Sequence, residues 1–510
     1  MLQDKRALQA GIPTHNLPIG FSVTCRTIAF TSIKSGTRVP LDPPDLFRKT
    51  CRGLLSLIDM TYQLPTDSSI FSSDPLGICD NEHPTQALVL HQLINNAVDG
   101  LSANLLLLPT LIEDIAYTVH GNGRLDTSHL HHFLYTDKSD ETADAARNLL
   151  IAALSLPQLF PANTITILPS SSPTASCATY TGSQINSLLA HQFLGTLHQP
   201  SGNNWGLPCF TPWFAADPPH TQAVNGYIRT LLHHFANGGY EKSDSFTFFT
   251  QQADLMPDPS RCDNIPKISL SVVYEESEPS SAPNDPSPFV LVASHAQPGP
   301  GPTATHEERL QAASPALSTS AIFTPLIPPD YAVVTSAFPV HASWKGHNRT
   351  ARLDQLYPPD ARPLRHYILA DALPLDEVEE ESSGALKDLQ PGHIEREVRK
   401  LYAAFEGAVV MQREVEGLSD APCVIEAAAW GCQAFGGNVV AKAACMMIAA
   451  GLTSVEVRLT LLENRAEEVN AVRRILAHNC TVSRLWSIVT SPKARVCKST
   501  AELRDFIVLS

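Results

Sequence analysis

The chain has 510 residues, 43% of them hydrophobic, enough to bury real cores in two or three domains and too many for a disordered protein. Its formal charge of -15, from 36 basic against 51 acidic side chains, argues against binding a nucleic-acid duplex directly, because phosphate contacts need a basic face. No apolar run approaches a membrane span and the first residues lack a signal-peptide pattern, so the expected setting is intracellular, nuclear or cytoplasmic, with no membrane partner.

In chain order, Leu46 to Leu64 and Pro84 to Gly121 place apolar residues at helical intervals. The segment TYTGSQINSLLAHQFLGTL repeats the pattern with Thr181 or Ser183 placed to cap it, and AVNGYIRTLLHHFANGG ends on a glycine pair, as helices often do. From Phe246 the texture changes. FTFFT, KISLSVVY, FVLVASHA, YAVVTSAF, RHYILADAL, CVIEAAAW and SVEVRLTLL read as short strands, several of them almost wholly apolar. Helical patterns separate the later ones: GHIEREVRKLYAAFEGAVVMQ, VVAKAACMMIAAG and ENRAEEVNAVRRILAHN. The expectation is a mainly helical accessory domain over 1–245, then an α/β domain over 246–510 with a mixed, buried sheet.

Some conspicuous residues carry no site. The 11 cysteines are scattered without metal-ligand spacing. His129, His131, His132, His233 and His234 lack acidic partners at ligand spacing, and the Ser runs contain no nucleophile elbow. Glu379, Glu380 and Glu381 read as a solvated loop, so no metal is expected.

The stretch from Ile425 to Gly451 runs from apolar residues through Trp430, Gly431, Gly436 and Gly437 directly into an apolar helix. Such a turn feeds a helix N-terminus, where free N–H groups and the helix dipole favour an anion, or it is a tight connection with no ligand. The turn WGCQAFGG with its following helix, together with YILADAL…LQPGHIEREVRKLYAAF and SQINSLLAHQFLGTL, resembles the poly(ADP-ribose) glycohydrolase family. That resemblance implies a macrodomain-like three-layer α/β/α core behind a helical accessory domain, and hydrolysis of ribose–ribose O-glycosidic bonds without metal or cofactor. It implies poly(ADP-ribose) or ADP-ribose as ligand and poly(ADP-ribosyl)ated proteins as partners.

By residue-wise carry-over, Glu308 is the general acid/base and Glu307 a ribose contact. Trp430, Gly431, Cys432, Gln433, Ala434, Phe435, Gly436 and Gly437 lie under the diphosphate. The family's asparagine, its glutamine and its adenine-stacking aromatic are replaced by Ser294, His306 and Leu461, with Trp344 either a substitute adenine platform or an anchor pinning its loop. The three glycines of the catalytic loop become Pro298 to Pro302, PGPGP, which removes N–H donors. Thr305 to Glu308 also spell a capping box, Thr-x-x-Glu. The hydrolase needs Glu308 aimed into the cleft of the Gly436 turn; a Glu308 folded back as a cap favours a catalytically impaired ADP-ribose-binding or structural relative.

Overall fold

The computed structural model describes residues 61–510, except 102–103, 122–124, 138, 169–176, 199–206, 276–287, 325, 347–349, 379–383, 416 and 418–420. The expected helix at Leu46 to Leu64 lies outside the described residues up to 60 and continues as a strand, Thr61–Gln63, paired with Thr164–Thr166. The acidic run at Glu379, Glu380 and Glu381 and the Ser run PSSSPTAS also lie outside them, as does most of EESEPSSAPNDPSP.

Each segment expected to be a strand from Phe246 onward forms one. The main sheet contains β1 (Cys177–Thr181), β2 (Ser245–Gln252), β3 (Lys267–Val273), β4 (Phe289–Ser294), β5 (Tyr331–Thr335), β6 (Leu364–Asp371), β7 (Val424–Ala427) and β8 (Glu456–Leu462). Their order is β1-β2-β5-β6-β4-β7-β8-β3, and the two-residue strand Phe338–Pro339 adds to the start of β6. From β6 to β3 all neighbours are parallel; from β6 to β1 all are antiparallel. The carboxyl ends of β6, β4 and β7 therefore meet at one sheet edge, where ligands of parallel α/β sheets bind.

Both faces of the sheet are covered, which explains its apolar strands. Along β4, Val290 and Val292 face one core and Phe289 and Leu291 the other. The first core takes α1 (Gln86–Leu101), α2 (Leu107–Ile115), α3 (Ser128–Thr136), α4 (Asp140–Leu154), α5 (Gly182–Leu194), α6 (Thr221–Ala236) and α7 (His306–Ala313). The second takes α8 (His393–Val410), α9 (Val439–Thr453), α10 (Ala466–Ala477), α11 (Val482–Val489) and α12 (Thr500–Leu509). Thr181 caps α5 in a capping box with Gln184, and Gly238 and Gly239 follow α6 with φ of +82° and +79°.

Leu57–Ser510 forms one compact unit. The expected boundary at 245/246 falls inside β2, and β1 pairs with β2 across it, so the helical part and the α/β part share a sheet and a core. Among the described residues no helix is long and apolar enough to cross a membrane.

Candidate active site

The first wall of the site is the loop from β4 to α7. Its backbone is organised by Glu307, whose carboxylate accepts the His295 N–H at 2.7 Å, the Gly299 N–H at 3.4 Å and the Gln311 side-chain amide at 2.9 Å. Glu307 is 5% exposed, and burial pushes its pKa up to about 8, against the pull of the two backbone donors. Donors of its own loop and helix reach both carboxyl oxygens, so Glu307 organises the loop in this conformation.

Glu308 is the third residue of α7, and the capping box forms. Thr305 Oγ1 accepts the Glu308 N–H at 3.3 Å, while the Glu308 carboxylate accepts the Thr305 N–H at 3.2 Å and the Thr303 hydroxyl at 2.7 Å. Burial raises its pKa. The carboxylate lies against Gly301, where an added Cβ would come within 2.2 Å of Glu308 Oε1. The Trp213 indole N–H holds the same glycine's carbonyl at 3.1 Å, and Ala304 takes a left-handed φ of +57° just before the cap. In this conformation Glu308 serves as a cap. Ser294, at the end of β4 opposite Asp371 of β6, is fully buried with a hydroxyl that has no hydrogen-bond partner among the described residues; His306 is half-buried.

The second wall is the turn between β7 and α9. The Trp430 indole N–H donates to Ala370 O at 2.9 Å, tying the turn to β6. Gly431 and Gly436 have φ of +73° and +69°, and the Gly437 N–H closes the turn on Gly431 O at 2.9 Å. Asn438 caps α9, its side chain accepting the Val440 and Ala441 N–H groups at 3.0 and 3.2 Å. The start of α9 thus already has a side-chain cap. Gln433, Ala434 and Gly436 are exposed with Phe435 half-buried beside them, whereas Trp430 and Cys432 are buried.

Beneath the turn runs a chain of six charges, five buried and Arg396 half-buried, that the sequence pattern alone does not single out. Lys400 pairs with Asp371 at 2.6 Å, Asp371 with Arg396, Arg396 with Glu397 at 2.7 Å, Glu397 with Lys442, and Lys442 with Asp388 at 3.5 Å. Asp388 in turn accepts the Asn438 N–H at 2.8 Å. One signal was available: Lys442 is a lone charge in the otherwise apolar run VVAKAACMMIAAG, so it needs a buried partner.

Two expected ligand contacts lie elsewhere. Trp344 is 1% exposed, its ring 5.0 Å from that of Tyr227 and directly over Gly226, where a Cβ would come within 2.5 Å of it. It anchors the hairpin formed by Ala342–Lys345 and Arg352–Leu356, and among the described residues its buried ring leaves no face open to a base. Leu461 is 2% exposed and points into the core beneath β8. His129 packs on Asn225 at 2.9 Å and His233 on Glu141 at 3.0 Å, consistent with structural histidines.

Residues 302–468 match the family model "Poly (ADP-ribose) glycohydrolase (PARG), Macro domain fold", and residues 143–251 match "Poly (ADP-ribose) glycohydrolase (PARG), helical domain". No curated protein matches the chain. Among solved structures, the chain is similar to the poly(ADP-ribose) glycohydrolase of Deinococcus radiodurans in complex with ADP-ribose: 14% identity over 46% of this chain and 95% of that one, with a TM-score of 0.31. A second crystal form of that complex gives 16% identity over 38% and 77%, with a TM-score of 0.27. The apo form gives 16% over 38% and 74%, with a TM-score of 0.24.

Proposed function

The chain belongs to the poly(ADP-ribose) glycohydrolase family, and on that premise we propose that it hydrolyses ribose–ribose O-glycosidic bonds of poly(ADP-ribose), releasing ADP-ribose. The supporting observation is placement: the Glu307–Glu308 pair follows β4, the glycine turn follows β7, and these parallel neighbours end at the same sheet edge. A ligand lying across that edge has its diphosphate on the turn and its terminal ribose toward α7.

Glu308 is the acid/base in this reading. Burial raises its pKa, which favours the protonated form needed to protonate the leaving ribose oxygen. Departure of the leaving group gives an oxocarbenium-like centre, and the carboxylate then takes a proton from the attacking water. To act, Glu308 must turn away from Thr303 and Thr305. Protonation assists, because both bonds are stronger to a charged acceptor.

One observation favours the second reading, an ADP-ribose-binding relative without turnover: the Glu308 carboxylate is engaged by Thr303 and Thr305 and pressed on Gly301. The deciding experiment measures ADP-ribose release from purified poly(ADP-ribose) by wild type and Glu308→Gln, with ADP-ribose affinity determined on the same samples. Turnover lost in Glu308→Gln with affinity retained supports the hydrolase. Binding without wild-type turnover supports the second reading, and neither signal sinks both.

A further inference from the structure

We propose that Lys442 is a positioning residue for the glycine turn: its buried side chain, clamped between Glu397 and Asp388, holds the turn in the shape that receives a diphosphate. This rests on the ligand reading above. Lys442 sits in the first turns of α9, where its backbone N–H bonds to Asn438 O at 2.9 Å. A cation at that helix end opposes the dipole and, being 1% exposed, has also lost its water. Packing alone would be served by a methionine or leucine, so the position calls for an explanation in terms of charge.

The surroundings supply it. The ammonium lies 5.2 Å from the centroid of the Trp430 ring, the indole that ties the turn to β6. Its Cε would be 2.5 Å from a Cβ on Gly437 and 3.2 Å from one on Gly431. The Gly437 Cβ would also meet Gly431 O at 2.7 Å. At Gly437 the lysine stem leaves no room for a side chain; Gly431 is held to glycine by its φ of +73° and by Ala372, whose Cβ an added Cβ would meet at 2.5 Å. Asp388 holds Lys442 and the Asn438 N–H together, so one carboxylate fixes the cap of α9 and the cation under the turn.

The role is geometric and not attractive. Lys400, Arg396 and Lys442 alternate with Asp371, Glu397 and Asp388, so the chain of charges is neutral and offers an anion no net pull. It makes the turn rigid before the ligand arrives.

The test compares wild type with Lys442→Met/Asp388→Asn, which removes one charge of each sign and leaves Glu397 paired with Arg396. Three readouts are taken: thermal midpoint, the Trp430 indole N–H resonance (assigned with Trp430→Phe), and ADP-ribose affinity by calorimetry. The expected result is a near-native midpoint, a displaced Trp430 resonance, and affinity reduced about tenfold or more, by analogy with the loss of a partner that orients a metal ligand. Unchanged affinity with an unmoved Trp430 resonance overturns the proposal. If wild type does not bind ADP-ribose, the ligand reading fails on its own; the Trp430 resonance then judges the turn, displacement supporting the positioning role and an unmoved signal rejecting it. Should the double variant not fold, Asp388→Asn, which keeps the Lys442–Glu397 pair, is read in the same way.

Discussion

His234 Nδ1 lies 2.9 Å from His341 Nε2, and this buried imidazole pair is one proton short of satisfying its surroundings. Asn186 is oriented by Tyr240, which donates its N–H to Oδ1 and accepts from Nδ2, each at 2.9 Å. Its Oδ1 therefore faces His234 Nε2 at 3.0 Å and requires a proton there. Neutral His234 must then accept from His341, which leaves His341 Nδ1 bare against Pro339 O at 3.2 Å. Burial keeps both rings neutral all the same: His234 is lowered to about 3, and His341 is held well below the usual value by burial, His234 and Arg362.

A pH dependence of stability follows. Both histidines bind protons near pH 6.5 in the unfolded chain and only at lower pH in the folded one, so their contribution is complete above 6.5 and is lost as pH falls below it. The slope is about 1.4 kcal/mol per pH unit for each histidine. Denaturant unfolding between pH 6.5 and 5 is expected to show a shallower loss in His234→Gln than in wild type. Equal slopes would mean that the pair is not buried neutral.

The sheet was legible because its strands are nearly continuous apolar runs bounded by turn residues, the form that burial on both faces imposes. β1 was missed: CATYT is only five residues long and leads directly into the capped start of α5, so the helical pattern absorbed it. In the site, the Thr305 capping box was legible because it is local, four adjacent residues. The partners of Lys442 were not, because Glu397 and Asp388 come from other segments and only the folded chain brings them together. Trp344 was ambiguous for the same reason: whether an aromatic is a platform or an anchor depends on what lies over its face, here Tyr227 and Gly226.

Glu307 shifts stability the opposite way from the histidines. Its folded pKa of about 8 lies above the unfolded value of 4.5, so in that window the folded chain holds a proton the unfolded chain has released. Wild-type stability relative to Glu307→Gln is therefore expected to fall as pH rises from about 4.5 to 8, by about 1.4 kcal/mol per unit. Paired denaturation curves at pH 5 and 7.5 check this, and a flat difference would show that the three donors hold Glu307 ionised throughout.

The conformation of the Glu308 loop depends on two backbone positions. Ala304 pays for a left-handed φ of +57°, so Ala304→Gly is expected to raise stability by about 0.5–1 kcal/mol. Gly301→Ala places a methyl 2.2 Å from Glu308 Oε1 and must expel the carboxylate from its cap, at a cost of about 1–3 kcal/mol. Thermal unfolding separates the two. In a hydrolase that needs Glu308 free of Thr303 and Thr305, Gly301→Ala also alters turnover, and unchanged kinetics would show that the cap is not an obstacle.

Gly226→Ala tests whether Trp344 belongs to the fold or to the ligand site. The added methyl would approach the Trp344 ring to 2.5 Å and push the hairpin off α6. An overpacked core of this kind costs about 1–3 kcal/mol, read as a lower denaturation midpoint. Because no face of the buried ring is open to a base, ADP-ribose affinity measured below the unfolding transition is expected to match wild type. A selective loss of affinity at unchanged stability would return Trp344 to the adenine site.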